Sequence, residues 1–361
     1  MERELTTATD FRPNGSPATF DVLKKEFSHL AVDPQLAPGA FNAINTCLRL
    51  QPHERITIIA GEECMDIAAA LVKEVETIGS RYALYFIEDY SDRPCLEMPH
   101  EILNDLRQSQ VSIFAAHARP GELNSRKQVT ACVNENAMRH GHMVNISKDI
   151  MLQGMQADFN VVDDLSTRIW NKARETKMIH AVSKGGTDIE VQFSPELNWL
   201  KTSGIITTKK WNNLPGGEVL TSPARVDGYF VTDGVVGDYL CDIYGDLKET
   251  PLSVVIEDSR IRKVECDNKK LLKDFLKYTS TDENSNRVGE FAIGTNYAVK
   301  DIIGNILQDE KIPGVHIAFG DSYWEHTNAT WKSSTHIDCV GRNFDIWMDG
   351  DKIMENGTFL I

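Results

Sequence analysis

Four short polar motifs follow one another in the second half of the chain, and each supplies one or two side chains that can bind a divalent metal ion. They occupy residues 214–218 (LPGGE), 289–290 (GE), 309–316 (DEKIPGVH) and 336–338 (HID). Carboxylates and neutral imidazoles are donors that Zn²⁺, Co²⁺ and Mn²⁺ accept. Donors from four separated segments converge only if the chain folds them together, so this series places a strong constraint on the fold.

The two histidine motifs have different local patterns. His336 and Asp338 are two residues apart, so in a β-strand both side chains would point to the same face and could contact one metal ion. His316 lies in an otherwise apolar run, GVHIAFG, where an unpaired imidazole would cost about 1–3 kcal/mol. Each motif has an ordinary explanation when taken alone: a polar strand face for the first and a hydrogen-bonded core histidine for the second.

Three glutamates complete the series. Glu290 stands between a glycine and a small, apolar segment, which predicts a buried carboxylate that needs a partner. Glu218 follows a Pro-Gly-Gly turn, and such turns commonly present ligands. Glu310 lies at the end of a predicted helix at residues 298–308. Alone, Glu218 would be a turn residue and Glu310 a solvated carboxylate.

The six side chains together predict a site for two divalent ions. Four carboxylates and two imidazoles can hold two ions about 3.5–4 Å apart, with one carboxylate bridging them. Such a pair polarises a carbonyl group and activates water, so metal-assisted hydrolysis is the first hypothesis. Tyr323, seven residues after His316, could donate its phenol to a developing oxyanion, although a single tyrosine is also an ordinary packing residue.

Composition excludes several classes of function. The chain has 361 residues, 41% hydrophobic and 25% charged, which allows two domains. Its formal net charge of −15 argues against binding to nucleic acid or to a membrane surface, since both require a basic patch. We find no apolar export signal and no stretch of about 18 apolar residues, and seven cysteines without CxxC spacing predict free thiols. We expect a cytoplasmic protein with neutral or cationic small substrates.

The two halves of the chain have different patterns. In the first half, apolar strands at residues 56–60, 82–87 and 111–116 alternate with helices at 65–77 and 102–108. This alternation predicts an α/β domain with a mostly parallel sheet.

In the second half, strands follow one another through turns, at residues 187–193, 204–208, 254–256, 261–264, 344–348 and 352–355. One further helix is predicted at residues 269–279. We therefore predict a polar, disordered N-terminus at residues 1–20, an α/β domain at 21–180 and a β-rich α+β domain at 181–361 that carries the metal site.

The motifs resemble those of the M29 metalloaminopeptidases, the aminopeptidase T and S group. The resemblance rests on residues 211–223, 289–296, 305–311, 315–320 and 336–338, and it covers about half of the chain. It implies metal ligands at six positions: Glu218, Glu290, Glu310, His316, His336 and Asp338. It also implies that Glu290 bridges the ions, that Tyr323 is catalytic, and that the protein is a homodimer acting on short peptides.

Two features depart from that family. Ile337 stands where the family usually has tryptophan, and the chain is shorter than the longer family members. The first difference leaves coordination possible but changes the adjoining pocket. The second affects the loops that gate the cavity or join subunits.

Three alternatives to hydrolysis have weaker support in the sequence. The chain also resembles 2,5-dihydroxypyridine dioxygenases, which would use one Fe²⁺ ion held by His316, His336 and Asp338. Such a site does not need Glu218, Glu290 and Glu310. A non-catalytic binding protein would be expected to lack ligands, and none is missing. A nucleotide site in the first half is disfavoured, because the segment after residue 60 lacks both GxGxxG and GxxxxGK[ST].

Overall fold

The computed structural model describes residues 32–208 and 211–361, so the predicted N-terminal segment 1–20 lies outside the described residues. The described strands form three sheets. They are β1 (Arg55–Ala60), β2 (Arg81–Phe86), β3 (Val111–Ala115), β4 (Arg139–His142), β5 (Met178–Ser183), β6 (Asp188–Gln192), β7 (Leu200–Thr202), β8 (Asn212–Asn213), β9 (Glu218–Thr221), β10 (Arg225–Thr232), β11 (Leu252–Glu257), β12 (Arg260–Glu265), β13 (Val288–Gly294), β14 (Gly314–Gly320), β15 (His336–Val340), β16 (Phe344–Met348), β17 (Asp351–Glu355) and β18 (Thr358–Phe359).

Helices connect and cover these sheets. The α-helices are Ala37–Phe41, Met65–Ile78, His100–Leu106, Leu123–Glu135, Lys148–Leu152, Phe159–Ala173, Asp238–Tyr244, Lys269–Tyr278, Ile306–Asp309 and Trp324–Thr327. The short 3₁₀ segments are Pro34–Leu36, Glu62–Cys64, Ile87–Asp89 and Gly154–Gln156, and Asn42–Cys47 is a π-helix. Within the described ranges, none of the helices has the length and apolar character needed to cross a bilayer.

The first sheet is parallel, with strand order β2-β1-β3-β4-β8. Its central strands are apolar on both faces: in β1 every residue after Arg55 is buried, and all of β3 is buried. Helices on both faces account for this pattern, because parallel strands are joined by crossovers that cover the sheet. The α/β prediction for the first half is confirmed.

The other two sheets are antiparallel and enclose a second core. Their strand orders are β12-β11-β10-β6-β5-β16-β17-β18 and β15-β14-β13-β9-β7. Ile189 and Phe230 from the eight-stranded sheet and Phe291 and Ile317 from the five-stranded sheet belong to one buried cluster. Antiparallel sheets commonly bury one face and leave the other free for function, and the second half is β-rich as predicted.

Two predicted elements are wrong. Residues 204–208 do not form a strand, because Gly204 has φ +89° and the Ile206 N–H donates to the Cys47 carbonyl oxygen rather than to a sheet neighbour. The predicted helix at residues 298–308 is reduced to Ile306–Asp309. The Asp309 carboxylate accepts three backbone N–H groups from the preceding loop, at residues 303–305, and so stabilises a loop instead of a longer helix.

The boundary near residue 180 remains a prediction. Strand β5 crosses that position and pairs with β6 and β16 in the eight-stranded sheet. Strand β8, although late in the sequence, returns to pair with β4 in the first sheet. A strand from the second half therefore completes the first sheet, so the two halves are joined by strand pairing as well as by the chain connection.

Candidate metal centre

One face of the five-stranded sheet carries the predicted site residues. Side chains alternate between the two faces of a strand. On β15, Ile337 belongs to the buried core, and His336 and Asp338 on either side of it are directed to the opposite face. The HxD motif thus lies in a strand, as its spacing predicted.

Two neighbouring strands place two more of the predicted ligands on this face. On β13 and β14, Phe291 and Ile317 enter the core, so Glu290 and His316 lie on the same face as Asp338. Ala318 is the register partner of both Glu290 and Asp338. Its methyl side chain leaves space above the sheet in which the two carboxylates can approach each other.

Glu290 follows a β-bulge at a position that only glycine can occupy. The β13–β14 register shifts between Val288 and Glu290, which leaves Gly289 as a bulge. A Cβ atom at Gly289 would lie 2.4 Å from the carbonyl oxygens of Gly320 and Asp321. The small residue before Glu290 therefore permits the close backbone approach that its sequence context predicted.

The Glu290 carboxylate lies between the two histidines. Its Oε1 atom is 3.5 Å from His316 Nε2, and its Oε2 atom is 3.5 Å from His336 Nε2. His316 Nε2 is also 3.6 Å from Glu218 Oε2, and His336 Nε2 is 3.4 Å from Asp338 Oδ1. These separations are close to those expected between neighbouring ligands of one ion with bonds of about 2.0–2.2 Å.

Glu310 completes the cluster from outside the sheet, at the end of the helix Ile306–Asp309. All six predicted ligands fall into three overlapping groups whose donor atoms lie within 4.8 Å of one another. The groups are Glu218, Glu290 and His316; Glu290, His336 and Asp338; and Glu310, His316 and Asp338.

Asp321 contacts two of the predicted site residues. Its carbonyl oxygen lies 3.1 Å from His336 Nδ1, so a proton on Nδ1 would leave the Nε2 lone pair facing Glu290. Its carboxylate accepts the backbone N–H of Tyr323 at 2.9 Å. Asp321 could not be predicted from the sequence, because a backbone acceptor leaves no signal in residue type.

Tyr323 lies at the rim of the cluster. Its ring centroid is 4.7 Å from that of His336, and the residue is 41% exposed. Loss of hydration around the phenol raises its pKa well above 10, and the negative charges of Glu290 and Asp338 add to this effect. The phenol therefore keeps its proton near neutral pH and can donate a hydrogen bond.

A buried lysine that was not predicted also contacts the cluster. Lys311 is 1% exposed, its Nζ atom lies 2.7 Å from Glu218 Oε1, and it donates to Glu310 Oε1. Thr202 on β7 donates to the same Glu218 oxygen at 2.8 Å. The only signal in the sequence was that Lys311 directly follows Glu310, and lysines beside glutamates are usually exposed.

The electrostatics of the cluster favour added positive charge. Burial alone lowers the pKa of an imidazole, yet the carboxylates outweigh it and raise the pKa of His316 to about 9 and that of His336 to about 10. Burial raises the pKa of Glu310 and outweighs the lowering effect of the Lys311 ammonium group, and the charges of Glu218 and Asp338 raise it further. Four carboxylates in close contact are unfavourable unless cations compensate them.

The donor set fits divalent metal ions. His316 Nε2 is buried and, among the described residues, has no hydrogen-bond partner despite the carboxylate oxygens around it. A buried polar atom of this kind requires an explanation, and a shared ion between imidazole and carboxylates supplies one. The oxygen and imidazole donors, the excess negative charge and this unpartnered nitrogen all point to the same group.

Comparison with solved structures shows the fold. The wild-type AmpT from Thermus thermophilus is similar over 91% of this chain and 99% of that protein, with 17% identity and a TM-score of 0.65. The 2,5-dihydroxypyridine dioxygenase from Pseudomonas putida is similar over 95% of this chain and 98% of that protein, with 12% identity and a TM-score of 0.63. Among curated proteins, none matches the sequence.

The sequence profile of one family matches more than half of the chain. It is the thermophilic metalloprotease family (M29), and the match spans residues 165–359. That range contains all six predicted ligands together with Tyr323 and Lys311. The resemblance to the M29 enzymes is confirmed, and the chain belongs to the M29 family of metallopeptidases.

Proposed function

We propose that the protein is a dinuclear metal-dependent aminopeptidase that removes N-terminal residues from short peptides. The observation that carries this proposal is the position of Glu290. Each of its two carboxylate oxygens faces the Nε2 atom of a different histidine, at 3.5 Å. A carboxylate shared in this way is the arrangement expected of a bridge between two adjacent ions.

The ligands divide around that bridge. Glu218 and His316 lie on one side of Glu290, and His336 and Asp338 lie on the other. Glu310 is close to His316 and Asp338, and so lies between the two sides. The set of oxygen and imidazole donors suits Zn²⁺, Co²⁺ or Mn²⁺.

The residues around the site provide the conditions for peptide hydrolysis. When bound, two divalent ions supply Lewis-acid activation of a carbonyl group and of a water molecule. Tyr323 retains its phenolic proton and donates a hydrogen bond to the oxygen on which negative charge develops.

The assembly and location are part of the proposal. We infer a homodimer, as the family resemblance implies, and a cytoplasmic location, as expected from the sequence. The seven cysteines support a reducing compartment, since all are buried and none forms a disulfide in the described parts of the chain. Light scattering of the purified protein would test the dimer, and a mass of 40.5 kDa would identify a monomer.

A metal count combined with an amino-acid-release assay tests the function. We expect two divalent ions per chain, release of N-terminal residues from a mixed pool of short peptides, loss of activity with chelator and recovery with Co²⁺ or Zn²⁺. A metal-loaded protein that is inert on every peptide would contradict the proposal.

The same experiment separates the second candidate function. The likeness to the dioxygenase from Pseudomonas putida motivates a single Fe²⁺ site at His316, His336 and Asp338. A dioxygenase function predicts one iron per chain and oxygen uptake with a dihydroxypyridine. It leaves Glu218 and Glu290 without a role, although both lie within reach of the histidines.

A further inference from the structure

Lys311 is held rigidly beside the candidate metal centre. Its backbone N–H donates to the Gln308 carbonyl oxygen at 2.8 Å, and its carbonyl oxygen accepts from the Asn296 N–H at 3.0 Å. The side chain is 1% exposed, so water cannot solvate its ammonium group. Carboxylates take the place of that water, because a buried charge must be paired.

The two carboxylate oxygens of Glu218 have different partners. The Oε1 atom accepts hydrogen bonds from Lys311 Nζ at 2.7 Å and from Thr202 Oγ1 at 2.8 Å. The Oε2 atom receives neither of these donors and lies 3.6 Å from His316 Nε2. One oxygen is therefore occupied by two donors, and the other faces the cluster of ligands.

Glu310 also contacts Lys311 through one of its oxygens. Its Oε1 atom accepts a hydrogen bond from the same Lys311 ammonium group. The residue also belongs to the group of donor atoms formed with His316 and Asp338. A single cation thus connects two carboxylates that approach the site from different elements, the strand β9 and the end of the helix Ile306–Asp309.

We propose that Lys311 is a positioning residue that occupies one oxygen of Glu218 and one of Glu310, so that each glutamate presents a single oxygen to the metal centre. This inference rests on the proposed function, since it takes both glutamates as ligands. Lys311 acts through them and does not contact the reacting atoms. Without it, Glu310 Oε1 loses the donor from Lys311 and Glu218 Oε1 keeps only the hydrogen bond from Thr202, so either carboxylate can turn more easily to bind an ion through both oxygens.

The first test compares three variants in the full-length protein. Lys311→Met removes the charge, Lys311→Arg retains the charge with a different donor geometry, and Lys300→Met is the matched control at an exposed lysine. Each is titrated with Co²⁺ against a competing chelator, and the visible absorption of the bound Co²⁺ reports its coordination number. These readouts do not depend on catalytic activity.

We expect Lys300→Met to match the wild type. Lys311→Met should bind Co²⁺ about 10- to 100-fold more weakly, as is typical when a residue that orients a ligand is lost. Its absorption should weaken as the freed oxygens raise the coordination number. Lys311→Arg should also differ from the wild type in absorption. Wild-type affinity and absorption in both Lys311 variants would overturn the inference, and full recovery with arginine would reduce the role of Lys311 to charge balance.

A second measurement avoids reliance on variants that fail to fold. In a crystal of the wild-type protein grown with Co²⁺, Glu218 and Glu310 should each contact metal through one oxygen and Lys311 through the other. Bidentate binding by either glutamate, or a Lys311 ammonium turned away from both, would refute the proposal. A wild-type protein that binds no metal would instead refute the proposed function, so the two failures are distinguishable.

Discussion

Replacing Gly217 with alanine should displace Glu218 and weaken the metal site without unfolding the protein. Gly217 directly precedes Glu218 and has φ +130°, a conformation that L-residues rarely adopt. Its N–H donates to the Thr202 carbonyl oxygen at 2.7 Å, and its carbonyl oxygen accepts from the Thr295 N–H at 2.7 Å. The backbone is therefore held from both sides and cannot rotate freely to accommodate a side chain.

The size of the effect follows from two terms. A Cβ atom at Gly217 would lie 2.6 Å from Asn296 Cβ and 2.8 Å from Asn296 N, so the two segments must separate by about 0.8 Å to reach ordinary contact at 3.4 Å. Misplacement of about 1 Å in a catalytic site costs about 100-fold in rate, so we expect a loss of about 10- to 100-fold here. The backbone strain adds about 1–3 kcal/mol, equivalent to a fall of roughly 2–10 °C in Tm.

Gly350→Ala is the matched control. Gly350 also has a positive φ, +91°, but a Cβ atom there would have no neighbour within 4 Å. The Gly350→Ala variant should have a lower Tm because of backbone strain alone, and its metal binding should be unchanged. Differential scanning calorimetry, metal titration and peptide turnover would be measured for both variants. A Gly217→Ala protein with the metal affinity and turnover of the control would refute the argument that this turn sets the position of Glu218.

Three further predictions concern the site itself. Glu290→Gln should abolish peptide turnover and lower the bound metal below two ions per chain, with unchanged circular dichroism; retained activity would remove Glu290 from the mechanism. Tyr323→Phe should lower kcat by about 100-fold, with KM and metal content unchanged, because an oxyanion donor is lost; an equal rate would make Tyr323 a packing residue. Metal affinity should rise with pH between 6 and 8, by about tenfold per pH unit for each proton displaced, because His316 and His336 have pKa values of about 9 and 10 and hold protons that the metal must replace. Calorimetric titration in buffers of different ionisation enthalpy measures that proton release, and its absence would contradict the predicted ligands.

The sequence determined much of the site because some of its signals are local. The alternation in HID places His336 and Asp338 on one face of any strand, and β15 realises it. The apolar residues around His316 make it a buried imidazole in any β-structure, and it is 1% exposed. The parallel sheet of the first half was likewise predictable, since apolar strands between amphipathic helices have few other stable arrangements.

Tertiary structure decided the features that depend on distant contacts. The segment 298–305 has a sequence compatible with a helix. The Asp309 carboxylate nevertheless accepts hydrogen bonds from the backbone N–H groups of residues 303–305 and stabilises a loop. Lys311 would be a surface residue by composition, but strand β9 brings Glu218 to it. Periodicity specifies the face on which a side chain lies, whereas a buried charge is stable only if its partners arrive from elsewhere in the fold. The chain therefore encodes the predicted metal ligands locally, and only the folded structure determines which partners their oxygens meet.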